Sequence, residues 1–127
     1  MKQNEKIEVS ATKQEQVLTD AVRRAADHLN IKASELSEVL GLSMATISRM
    51  NGGSYTLRSN KKEFELGLEF VRLFRGIDAI SGGDDRTSRS WLRVPNKVLR
   101  KTPIELIKSI KGLVDTVAYV DTFRAKI

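Results

Sequence analysis

Apolar residues recur at spacings of three and four along most of the chain, and no stretch alternates with period two for long. That spacing predicts an all-α fold. Between Glu15 and Leu29 the stripe Leu18, Val22, Ala25 and Leu29 is widened by Val17, Ala21 and Ala26, with Asp20, Arg23, Arg24 and Asp27 outside it, an amphipathic first helix. Ser34, followed by Ser37 and Glu38, predicts the cap of a short second helix through Leu40, which Gly41 ends by taking positive φ without a Cβ penalty. Ser43 predicts the cap of a third helix through Ile47 to Met50, closed by Asn51, Gly52 and Gly53, and 54–59 reads as a loop. Asn60 with Glu63 predicts a capping pair for a fourth helix over about 61–78, which carries two apolar stripes. One stripe is Phe64, Leu68, Val71 and Phe74; the other is Leu66, Phe70, Leu73 and Ile77, so two sides should be covered.

The Gly- and Asp-rich stretch 81–88 predicts a turn or surface loop. Thr102 as cap, Pro103 as first helical residue and Glu105 at the third position predict a helix start. A last helix over about 110–123 should face inward with Leu113, Val117, Val120 and Phe123.

Charge changes the picture by its position. The net charge is +6, yet residues 1–60 hold eight basic against seven acidic side chains and residues 61–79 hold four of each. Residues 80–127 hold ten basic against five acidic, so the excess lies in the back half. The absence of cysteine removes disulfides, thiolate zinc sites and cysteine nucleophiles. No window approaches the roughly 18 uninterrupted apolar residues of a membrane span. Residues 1–13 form a polar mixture that predicts a flexible arm and no secretory signal, which points to a cytoplasmic protein.

Residues 33–52 fit the grammar of an Xre/Cro-like helix-turn-helix, in which two short helices pack across a tight turn. Leu36, Leu40, Leu42, Ile47 and Met50 fall on its inward positions and Gly41 on its turn; Ser37 stands where a small apolar residue is commonest. The outward residues of the third helix are then Ser43, Met44, Ala45, Thr46, Ser48 and Arg49. Arg49 suits guanine or phosphate, Thr46 and Ser48 suit bases or backbone, and Met44 or Ala45 suits a thymine methyl. Free amides near Ser43 suit a phosphate. A helical hairpin without any ligand is the alternative reading, and the +1 charge of this half implies that DNA binding would require a dimer on a palindromic site.

The back half carries W-L-x-x-P-N-x-x-L at Trp91, Leu92, Pro95, Asn96 and Leu99, then T-P-x-x-L at Thr102, Pro103 and Leu106, then Gly112, Tyr119 and Arg124. This order and spacing resembles the C-terminal toxin-binding domain of the Xre/MbcA/ParS antitoxins. Physical chemistry gives most of these residues a structural role, with Trp91 as core anchor, Pro95 as helix stop and Asn96 as cap of the next turn. The resemblance implies four parts: the arm over 1–13, a DNA-binding domain over 14–60, a connecting or dimerisation helix over 61–78, and a toxin-binding domain over 79–127. It further implies a homodimer that silences a RES-domain, NAD-degrading toxin of a type II toxin-antitoxin system and represses its own operon. Tyr119, Phe123, Arg124 and Lys126 of the last helix and tail are the residues expected to block the toxin, with Arg93 from a basic face that also includes Arg86, Arg89, Lys97, Arg100 and Lys101; by charge alone that face reads as solvated at least as well as toxin-binding. A stand-alone regulator whose back half only dimerises, or an adaptor that has lost DNA, stays open as an alternative.

No catalytic constellation is legible. His28 has no serine or carboxylate at a motif spacing, Asp84 and Asp85 lack the further oxygens of a calcium loop, and no phosphate-cradling glycine motif occurs. The expectation is a non-enzyme with no metal and no cofactor.

Overall fold

The computed structural model describes residues 10–124. Among these, seven helices follow one another: α1 (Lys13–Leu29), α2 (Ala33–Leu40), α3 (Met44–Asn51), α4 (Lys62–Ile80), α5 (Asp85–Arg93), α6 (Pro103–Leu106) and α7 (Ile110–Arg124). The only extended pairing among the described residues is an isolated antiparallel bridge between Asn96 and Lys101. Most of the arm expected over 1–13, and Lys126, lie outside the described residues.

Local chemistry sets the helix ends. Thr12 and Glu15 form a reciprocal capping box, so α1 begins two residues before the expected Glu15. Asn30 closes α1 in the left-handed region at φ 56°. The cap of α2 is Lys32, whose amide donates to the Glu35 carboxylate at 2.9 Å, and Ser34 is already helical. Gly41 at φ 68° ends α2, and the Ser37 hydroxyl donates to the Leu42 carbonyl across the turn, which accounts for the unusual serine. Thr102 begins α6 with its carbonyl, accepting from the Glu105 amide at 2.9 Å, and its hydroxyl makes no capping bond.

Further expectations are corrected. Asn60 and Glu63 make no capping pair, because α4 starts at Lys62 and Glu63 turns inward to 6% exposure. The turn or loop expected over 81–88 is a turn confined to 81–84, since α5 starts at Asp85. Gly82 and Gly83 take φ 68° and 83° there, which reverses the chain in so few residues. Phe123 does not join the inward face of α7; Leu113, Thr116, Val117 and Val120 do, and Phe123 stands 42% exposed.

The core runs through both halves of the chain. α4 packs on α1 along one side and on α7 along another, so Phe70, Leu73 and Ile77 are buried at or below 2% exposure. Close approach depends on glycine: a Cβ on Gly76 would lie 2.3 Å from Val120, against α7. Leu57, in the segment read as loop, is fully buried, its methyl 3.1 Å from where a Cβ on Gly67 would stand. Leu92 rather than Trp91 is the fully buried anchor of α5; Trp91 is half-buried at the margin of the core, because the helix points its neighbour inward.

Candidate DNA-reading helix and partner-binding face

In α3, Ile47 and Met50 are fully buried against the rest of the helix-turn-helix, which turns the opposite face outward. Ser43, Met44, Ala45, Ser48 and Arg49 are exposed or half-exposed and Thr46 is half-buried. The Ser43 hydroxyl accepts from the Thr46 amide at 3.1 Å and donates to the Thr46 hydroxyl at 2.9 Å. That hydroxyl also accepts from the Arg49 guanidinium at 3.0 Å. Residues three apart on one helical face are thereby chained, and the guanidinium is drawn back toward the end of α3 where the amides carry partial positive charge.

The segment leaving α3 is held by three acceptors that sequence reasoning missed. The Thr19 hydroxyl accepts from the Leu57 amide at 2.9 Å, and the Glu15 carboxylate from the Ser59 amide at 2.7 Å. The Ser59 amide is the largest cause that holds the Glu15 carboxyl at about 2, well below its ordinary range. Glu63 accepts from the Tyr55 hydroxyl at 2.5 Å and from the Arg58 amide at 2.9 Å. Burial, and then the Glu63 carboxylate, push the Tyr55 phenol up to about 12. The only signal in the sequence was a lone leucine, Leu57, in a polar stretch.

The basic face splits in two. Arg93 is spent internally: it grips Glu35 with two bonds of 2.6 and 2.9 Å and donates to the Asn30 carbonyl at 3.1 Å. This fork ties the end of α5 to the helix-turn-helix and, by its hydrogen bonds, holds the Glu35 carboxyl at about 2. Arg89 donates to the His28 and Asp27 carbonyls, satisfying the last turn of α1. His28 has a carboxylate partner that no local spacing announced: Asp85 lies 2.9 Å from Nδ1 across 57 residues of sequence, and the imidazole stacks on Phe74 at 5.3 Å between ring centroids. Asp84 accepts from the Thr87 hydroxyl, which holds its carboxyl below the ordinary range. The two adjacent aspartates therefore serve separate bonds, one local and one long-range, and the described residues hold no group of three or more His, Cys, Asp or Glu side chains suited to a metal.

On α7, Tyr119 is half-buried and meets Phe123 edge to face at 5.0 Å, so the pair forms an aromatic step on the outer surface. The Arg124 stem runs along α4 beside Gly76 and the residue is exposed. Further along, Asn96 accepts from the Val98 and Leu99 amides at 2.9 Å, closing the turn between α5 and α6. Pro95 is exposed, and Val94 before it is extended at φ −107° and ψ 137°, which ends α5 at Arg93.

No helix among the described residues is long and apolar enough to cross a membrane. No curated protein matches the sequence. Two family models do match, in tandem. Residues 10–72 match the antitoxin Xre-like helix-turn-helix domain and residues 77–126 the antitoxin Xre/MbcA/ParS C-terminal toxin-binding domain. Antitoxins of this build are generally not enzymes. With a helix-turn-helix in front, a toxin-binding domain behind and a common core joining them, the chain belongs to the Xre family of antitoxins.

Proposed function

We propose that this antitoxin neutralises a RES-domain, NAD-degrading toxin of a type II system, represses its own operon through α3, and has no catalytic activity of its own. The observation that carries the DNA half is the chained Ser43, Thr46 and Arg49 face, outward beside the amide end of α3, with Met44 52% exposed for contact with a thymine methyl. For the toxin half, the aromatic step of Tyr119 and Phe123 leads into Arg124, and this last helical segment enters the toxin's cleft, where the guanidinium meets groups that bind a phosphate of NAD. Lys126 follows on the same tail. Arg93 drops out as a contact residue because its guanidinium is committed to Glu35 and Asn30.

Dimerisation supplies the second reading helix that a front half of net charge +1 requires. Val17 at 59% and Leu68 at 45% exposure, with Phe64 between the same two helices, offer α1 and α4 as the pairing surface. The protein works in the cytoplasm, beside DNA and toxin.

A promoter-reporter assay with the full operon tests this reading. Arg49→Ala is expected to raise promoter activity at least about fivefold while cells still survive the toxin, since a bidentate base contact is worth about 1–3 kcal/mol. Repression unchanged by Arg49→Ala and Thr46→Ala together removes α3 as the reader. A toxin that the intact protein neither binds nor silences removes the antitoxin reading for that pair.

A further inference from the structure

A second surface stands apart from the last helix. Along α5 a groove of about 540 Å³ is lined by Trp91, Val94 and Pro95 together with Arg86 and Asn96. Val94 is 53% exposed, and Val98, two residues beyond Asn96, is 67% exposed at the tip of the turn that the Asn96 carboxamide closes. These apolar side chains are neighbours in the chain yet contribute little to the core, whose share of α5 is Leu92.

The turn that follows is basic. Lys97 follows Asn96 directly, Lys101 is bridged to Asn96, and Arg100 lies between them. None of Arg86, Lys97, Arg100 and Lys101 has an acidic partner within salt-bridge distance among the described residues, whereas Arg72, Arg93, Lys108 and Lys111 all do. Arg100 also holds φ 69°, a conformation that favours glycine, so a charged side chain is kept at the tip at a cost in backbone strain.

An apolar groove continued by an open cationic turn has the anatomy of a protein interface, and a phosphate backbone would leave the apolar groove unused. Every residue of groove and turn falls within the stretch matching the toxin-binding domain. We propose that this groove is a docking site for the toxin, separate from the aromatic tail, and that its occupant is an apolar ridge flanked by aspartate or glutamate side chains on the toxin surface. The inference rests on the antitoxin reading above. In that arrangement the tail enters the toxin's cleft and the groove anchors the body of the antitoxin, so each contact raises the effective concentration of the other.

Trp91 is the chain's only tryptophan, which makes the groove readable by itself. The full-length protein is prepared with 5-fluorotryptophan and titrated with the toxin encoded beside it, in a catalytically silenced form, while affinity is measured by calorimetry. The single fluorine resonance is expected to shift on binding. Val94→Asp, and separately Lys97→Glu with Lys101→Glu, are expected to weaken the complex by about tenfold or more, the second pair with a reduced dependence on salt. Because these side chains are exposed, folding is checked by the helical circular-dichroism signal. Wild-type protein that fails to bind the toxin sinks the antitoxin reading for that partner and the groove with it. Wild-type protein that binds while the resonance stays put and both variants bind equally well overturns the groove alone. A shift caused by a promoter duplex instead of toxin, or by raising the concentration of the protein alone, overturns it in favour of DNA or a second copy.

Discussion

Gly112 stands where the first turn of α7 crosses the end of α6, and a Cβ there would lie 1.9 Å from the Leu106 carbonyl oxygen. The obstacle is backbone, held by α6 on one side and by the buried Leu113 on the other, so it has no rotamer by which to yield. Gly112→Ala is expected to lower stability by more than about 2 kcal/mol, measured as a shift in the denaturant midpoint with the slope unchanged. A loss under about 0.5 kcal/mol would show that α6 moves freely. Tyr55 offers a second test at this scale. Its phenol is pushed up to about 12 by burial and by the Glu63 carboxylate that accepts from its hydroxyl. Ultraviolet titration of the folded protein should show a phenol ionising near pH 12, and Glu63→Gln should bring it down. A folded-state value above the unfolded one means that Tyr55 favours folding below about pH 10 and loses that contribution as pH rises toward 12.

Among the elements, the seam of α5 with α1 and α2 carries the most polar chemistry. The Glu35 side chain is 12% exposed and is gripped by Arg93, which holds it at about 2. A carboxyl lowered on folding contributes fully above its ordinary value near 4.5 and loses that contribution as pH falls toward 2. Glu35→Gln should therefore cost about 1–3 kcal/mol at pH 7 and a smaller amount at pH 2.5, since charge-assisted bonds are worth about that much. The check is the difference in denaturant midpoint between the two proteins at each pH; Glu15, which titrates in the same range, is present in both and cancels. An equal difference at both values of pH would mean that the fork contributes nothing through charge.

At the scale of the molecule, α4 is shared property: α1 covers one side of it and α7 another, so neither half of the chain closes its core alone. Thermal unfolding is expected as a single transition with calorimetric and van't Hoff enthalpies equal, and a split into two transitions would show that the halves fold independently. The same continuity is reinforced by a polar seam between the halves. Arg89, Arg93 and Asp85 of α5 hold the end of α1 and the start of α2, and α2 packs directly on α3.

The all-α class, the helix-turn-helix register and the tandem antitoxin motifs were legible in the residues, because each is written in local spacing. A glycine must follow Leu40 for α2 to stop, and Ile47 and Met50 must face inward once α3 is a helix. What local spacing cannot carry is the partner of a side chain across the chain. Asn60 and Glu63 have the spacing of a cap, yet Glu63 gains more from Tyr55 and Arg58 in the interior. Trp91 has the bulk of a core anchor, yet the direction of α5 buries Leu92 and leaves the indole beside an open groove. His28 and Arg93 look like surface charges until folding brings Asp85 and Glu35 against them from 57 and 58 residues away. Helix periodicity is decided within a turn or two of backbone, whereas burial and ion pairing are decided by which faces meet, and that is a property of the packed molecule alone.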